Sequence, residues 1–249
     1  MKKTLKWMAV AVAALLLAAG VRLCWISLVE IPGHGGQPVF LPGDRVAVNK
    51  TAYGLRLWPM SRLGYVRWGE CRPGRGEWMA FNNPAADSDS ACADQGPVFV
   101  GFCYAVPGDS LWVDTAGGVH RRRPADGRRC RVVELPRKDA YVTITPDNIQ
   151  WYARMINLHE GAHATVIADS LCVSGHFMPS FRFTHDYYWV SAASPRGGAD
   201  SRTFGFVPDT HIIGRLTRVL YSWDTEAPWH SRLRLRRTMM KVGREDVGQ

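Results

Sequence analysis

The chain has 249 residues, 46% of them hydrophobic and 21% charged, with a formal net charge of +9 and a pI near 9.5. That length buries one substantial core or two small ones, which excludes a large multidomain enzyme and fits one body carrying an insertion. The arginines fall in short clusters, Arg121 to Arg123 and Arg128, Arg129 and Arg131, which read as a solvated basic face or one drawn to anionic headgroups, and no nucleic-acid partner is expected.

At the start, Lys2, Lys3 and Lys6 precede an apolar run from Trp7 to Val21, and after Arg22 the hydrophobicity resumes from Leu23 to Val29. With Arg22 snorkelling, the stretch reaches the roughly 20 residues that a spanning helix needs. Residues 1–29 are therefore expected to form a cytoplasmic tip and a single transmembrane helix. The lysines stay inside and the bulk of the chain lies beyond. A signal peptide cleaved near Ala18-Ala19-Gly20 is the alternative. Cys24 lies within or beside this segment, and Cys71, Cys92, Cys103, Cys130 and Cys172 follow it. Export predicts at least one disulfide among them. Neither a CxxC pair nor a Cys/His cluster with zinc spacing occurs, so no metal is expected.

Further along, Arg45 to Val48 and Trp78 to Phe81 are strand-like, each entered through a turn, Pro42-Gly43-Asp44 and Arg75-Gly76-Glu77. A longer apolar run, Val98 to Val106, ends at Pro107-Gly108-Asp109, and Leu111-Trp112-Val113 alternates as a half-buried strand should. Asp147 to Glu160 reads as a helix with Asp147 as N-cap and Ile149, Tyr152, Ala153 and Ile156 on one face. Strands are expected again at Tyr187 to Val190, Phe204 to Val207 and Ile212 to Trp223. The tail from His230 to Lys241 alternates basic and apolar residues, either along a membrane surface or as a plain basic terminus. Together with 24 Gly and 15 Pro in turn-like clusters, this predicts a mainly β antiparallel body made of residues 30–114 and 184–224. An inserted α/β subdomain at 115–183 and a basic tail at 225–249 complete it.

Four stretches then carry a resemblance. Ile31-Pro32-Gly33-His34-Gly35-Gly36-Gln37-Pro38, continued by Pro42-Gly43-Asp44-Arg45-Val46-Ala47-Val48-Asn49-Lys50, is the first. Arg75-Gly76-Glu77 with Phe81 is the second, and Val106-Pro107-Gly108-Asp109 the third. Asp200-Ser201-Arg202-Thr203-Phe204-Gly205-Phe206-Val207-Pro208 with Ile212-Ile213-Gly214 is the fourth. In this order they resemble the successive boxes of bacterial type I signal peptidases, the Ser/Lys proteases that remove export signals, and the resemblance implies that the anchor lies in a bacterial inner membrane. Glu134-Leu135-Pro136-Arg137-Lys138 and the helix after it look like the insertion of Bacteroidetes-type members.

The resemblance covers the turns and not the chemistry. A Ser/Lys protease needs a hydroxyl nucleophile and a lysine whose pKa is lowered enough to take its proton. Anchored on Pro38, the nucleophile's place falls on Gly35 and that of the oxyanion-hole serine on Gly33. Anchored on Pro107-Gly108-Asp109, the general base falls on Gly101. Counted back from Asp200-Ser201-Arg202, the lysine-orienting serine falls on Gly198. By contrast Gly43, Asp44, Arg75, Gly76, Pro107, Gly108, Asp109, Asp200, Ser201 and Arg202 keep the family's structural residues.

By resemblance a peptide groove would be lined by Ile31, Pro32 and Val100, which read equally well as core strand residues. Three functions follow. The first is a non-catalytic scaffold or chaperone that binds exported peptide segments, or the partner of an active signal peptidase. The second is an active peptidase with relocated catalytic residues, drawn from Ser27, His34, Ser191, Ser194, Lys50 and Lys138. The third is a basic module binding membrane lipid. None of them calls for a cofactor.

Overall fold

The computed structural model describes residues 6–8, 10, 12, 14, 20, 25–31, 36–56, 67–69, 71–85, 97–115, 117–194 and 200–246. In chain order the strands of the first half are β1 (Ile26–Glu30), β2 (Asp44–Asn49), β3 (Leu55–Arg56), β4 (Arg67–Trp68), β5 (Trp78–Asn82) and β6 (Val98–Ala105). The middle of the chain contributes β7 (Ser110–Asp114), β8 (Val119–His120), β9 (Cys130–Glu134), β10 (Tyr141–Thr143), the helix α1 (Ile149–His159), β11 (Ala164–Ile167), β12 (Ser170–Val173), β13 (His176–Phe177) and β14 (Ser180–Arg182). The chain returns through β15 (Tyr187–Ser191), β16 (Val207–Pro208), β17 (Ile212–Ser222) and β18 (Met240–Lys241). The main sheet is antiparallel in the order β1-β2-β17-β5-β6-β15-β16, with β18 added to β17. The expected mainly β antiparallel body is present.

Period-two alternation explains why this sheet is buried on both faces. Along β5, Trp78 and Ala80 pack with Ile31, Phe40, Val46, Val48 and Leu216, while Met79 and Phe81 turn to Tyr53, Cys103, Val190 and Ile212. Along β15, Tyr188 and Val190 join the second group, whereas Tyr187 and Trp189 join a third cluster with Leu111, Tyr152 and Phe183. The strand β15 is thus the wall shared by these two clusters.

Turns enter where the sequence places them. Gly43 has φ +84°, and a Cβ there would stand 1.9 Å from the Trp223 carbonyl oxygen, so only glycine fits ahead of β2. The helix α1 buries Ile149, Tyr152, Ala153, Met155 and Ile156, but Asn148 rather than Asp147 holds the N-cap position. The Asn148 side chain braces the preceding turn instead, accepting from Thr145 N at 2.8 Å and donating to Thr143 O at 3.0 Å. Phe204 to Val207 does not continue as one strand. Asp200 caps a helical turn over Ser201–Phe204, and Gly205 at φ +91° ends it before β16.

The N-terminal transmembrane helix is corrected. Ile26–Glu30, the back of the expected anchor, is an edge strand paired with Arg45–Asn49 from Ile26↔Asn49 to Glu30↔Arg45. Its alternation of exposed Ile26 and Leu28 with half-buried Ser27 and Val29 is that of a strand. Among the described residues no helix is long and apolar enough to cross a membrane. The single-pass inner-membrane placement inferred from that helix, with the bulk of the chain beyond the membrane, falls with it. The four described cysteines, Cys71, Cys103, Cys130 and Cys172, are unbridged, while Cys24 and Cys92 lie outside the described residues.

Candidate functional site

Strand β6 pairs with β5 over its first part, Val98 to Phe102, and with β15 over its second, Phe102 to Ala105. β5 runs from Trp78↔Phe102 to Asn82↔Val98, but β15 stops at Ser191↔Phe102. Cys103 N donates to Glu77 O at 2.9 Å. By ladder alternation the N–H and C=O groups of Val98 and Val100 therefore point away from β5. Among the described residues no strand takes them. Val100 is half-buried against the cluster that contains Ile31, so the structure brings these two sequence-predicted residues to one apolar surface. Ile31 itself is 4% exposed and is held by Asp44 O and Gly43 N at 2.9 and 3.1 Å, which makes it a core residue under that surface.

Gly101 ends the open stretch. It faces Met79 across the ladder, and a Cβ added to it would stand 2.5 Å from Val190 Cγ1 and 2.9 Å from Ser191 O. No side chain starts there without displacing β15. That strand is in turn pinned by the fourth box: Ser201 Oγ accepts from Val190 N at 2.9 Å, and Asp200 Oδ2 accepts from Ala192 N at 3.4 Å. Arg202 braces the Asp200 carboxylate with Nε at 2.9 Å. Pro32, Gly33, Gly35 and Gly198 lie outside the described residues, as does His34.

The other box residues hold the frame. Arg75 forks onto Asp109, with Nε 3.0 Å from Oδ2. Burial draws the Asp109 carboxyl upward, but the Arg75 bond and the Val106 N–H hold it below the usual carboxylate range. Gly76 N donates to Cys103 O at 2.7 Å, and Gly108 N to Leu135 O at 2.7 Å. Pro107 O accepts from Arg137 Nε at 3.2 Å, and Pro38 leads into the fully buried Phe40. Beneath β6, Glu77 gathers Arg244 Nη2 at 2.6 Å, Tyr53 OH at 3.1 Å and Gly74 N at 3.2 Å. Burial raises its pKa, and these donors, Arg244 first, bring it below the ordinary value.

Of the other candidates, Ser27 lies in β1 opposite Val48, and Lys50 opens the short helical turn after β2. Ser191 closes β15, and Lys138 follows β9 with its N–H on Asp186 Oδ1 at 2.9 Å. Ser194 follows β15 outside any element, Lys138 lies in a turn, and the described candidates are spread over separate segments of the chain.

One cluster has no mark in the sequence. The His159 ring packs edge-on to His211 with centroids 5.1 Å apart, and His185 Nδ1 is 3.3 Å from Asp209 Oδ1. Burial and the neighbouring His211 push the His159 pKa down to about 3. These histidines come from three distant segments, so no spacing could have revealed them. Among the described residues no group of three His, Cys, Asp or Glu side chains could hold a metal ion.

Over residues 4–221 the chain matches the family model described as "Signal peptidase, peptidase S26".

Proposed function

The chain belongs to the peptidase S26 signal peptidase family, and from that membership we propose that it holds an extended peptide along the Val98 and Val100 edge without cutting it. It would serve as a scaffold or chaperone for such segments, or as the partner of an active signal peptidase. The observation that carries the reading is an open strand edge that ends in glycine. An added strand gains backbone hydrogen bonds from Val98 and Val100, and its side chains are sorted by the apolar surface over Ile31. At Gly101, where the family resemblance expects the general base, there is no group to accept a proton, and Val190 occupies the space in which a longer side chain would begin.

The test uses the full chain and a dye-labelled peptide spanning a signal-peptide cleavage region. Wild type is expected to bind the peptide and leave it intact. Val100→Pro removes an N–H that points away from β5, and is expected to weaken binding about tenfold or more while the melting transition persists. Cleavage by wild type would favour a working peptidase and overturn the reading, as would binding that Val100→Pro leaves unchanged.

A further inference from the structure

The insertion has an open edge of its own. In the sheet β8-β7-β9, β9 is terminal. Leu135 N donates to Asp109 O at 2.8 Å, one step past the Ser110↔Glu134 pair. Ladder alternation therefore aims the backbone groups of Cys130, Val132 and Glu134 away from β7. The Tyr152 hydroxyl takes the Glu134 carbonyl at 2.8 Å, and no described strand takes those of Cys130 and Val132.

Along this edge runs a cleft of about 630 Å³ lined by Trp112, Val132 and four arginines, 123, 128, 129 and 131. Arg128 is engaged, with Nε 2.6 Å from Asp126 and Nη1 3.6 Å from Asp114. Arg123, Arg129 and Arg131 form no ion pair with a described acidic residue, and Asp147 is the acidic residue on the lining. Three cationic side chains crowded on one cleft repel one another, and they gain by meeting carboxylates, whose geometry matches the guanidinium fork. Val132 is 44% exposed and, with Trp112, gives the same cleft an apolar contact.

We propose that β9 is a second peptide-binding edge, selective for an acidic extended segment. A strand that alternates acidic and apolar residues presents its side chains with period two. Added to Cys130 and Val132, it lays its acids by the arginines and its apolar groups by Val132 and Trp112. The inference rests on the insertion alone and stands or falls apart from the β6 edge.

The experiment measures anisotropy of a short dye-labelled peptide alternating Glu and Val, with a Gln and Val control, on the full chain. The Glu peptide is expected to bind and to be released by salt, and the Gln peptide not to bind. Replacing Arg123, Arg129 and Arg131 together by Ala is expected to weaken binding roughly ten- to a hundredfold, the sum of three exposed charge-assisted contacts. Val132→Pro is expected to weaken it as well, whereas Val100→Pro leaves it unchanged. Should Val132→Pro lose its melting transition, hydrogen exchange of wild type replaces it, with slowed amides at Cys130 and Val132 expected on binding. Equal binding of the Gln peptide, an unaffected triple variant or unprotected β9 amides would overturn the proposal. Displacement by inorganic phosphate together with unchanged binding to Val132→Pro would mark a small-anion site, and would also overturn it.

Discussion

The Arg237 guanidinium reaches the fully buried carboxylate of Asp44, Nε to Oδ1 at 3.1 Å, and ties the end of the chain to the turn that opens β2. Its Nη2 also donates to Val39 O at 2.8 Å. Removing the guanidinium leaves a buried charge without its counterion, so Arg237→Ala should cost roughly 3 kcal/mol. Arg236→Ala, on an exposed neighbour, should stay within about 0.5 kcal/mol of wild type. Urea unfolding of the two variants checks the contrast.

The crowding at Gly101 predicts a coupled pair. Gly101→Ala drives a Cβ against Val190 Cγ1 and should destabilise by about 1–3 kcal/mol, as overpacking does. Val190→Ala alone opens a cavity in a fully buried site. Together the two should cost less than their sum by roughly 1 kcal/mol or more. Strict additivity in the denaturation cycle would show that β15 does not press on Gly101.

Glu77 sets an acid limb. Its pKa lies below the ordinary 4.5, so the stability it contributes is full above about pH 4.5 and is lost as the pH falls through the lower folded value. Glu77→Gln should flatten the stability profile below about pH 4.5. An equally steep loss in the variant would assign the acid limb elsewhere.

His159 acts over a wider window. With its pKa pushed from 6.5 to about 3, the unfolded chain binds a proton that the folded one refuses. Stability is therefore full above about pH 6.5 and declines as the pH falls toward 3. His159→Phe keeps a ring against His211 and cannot take the proton, so its profile should be flatter between those limits, measured by denaturant unfolding across the range.

Where the fold was legible in sequence, the cause was local. Pro107-Gly108-Asp109 and Gly43-Asp44 announce turns because φ +86° at Gly108 and φ +84° at Gly43 require glycine. The partner of Asp44 was not legible, since Arg237 lies 193 residues away and nothing near either residue marks the pair. Hydropathy alone does not separate a membrane run from an edge strand. Ile26–Glu30 is apolar enough to extend Trp7 to Val21, yet its period-two exposure belongs to β1. Likewise Phe204 carries strand propensity, and the Asp200 cap overrides it. The open edge at Val98 and Val100 depends on where β15 stops, a tertiary fact with no local sequence mark.

The most direct measurement is hydrogen exchange by mass spectrometry of the full chain with and without a signal-peptide cleavage-region peptide, because the same spectra report the peptide's own mass. The account predicts slowed exchange at the Val98 and Val100 amides and a peptide of unchanged mass throughout. Two peptide fragments, or an edge whose amides exchange as fast with peptide as without it, would contradict it.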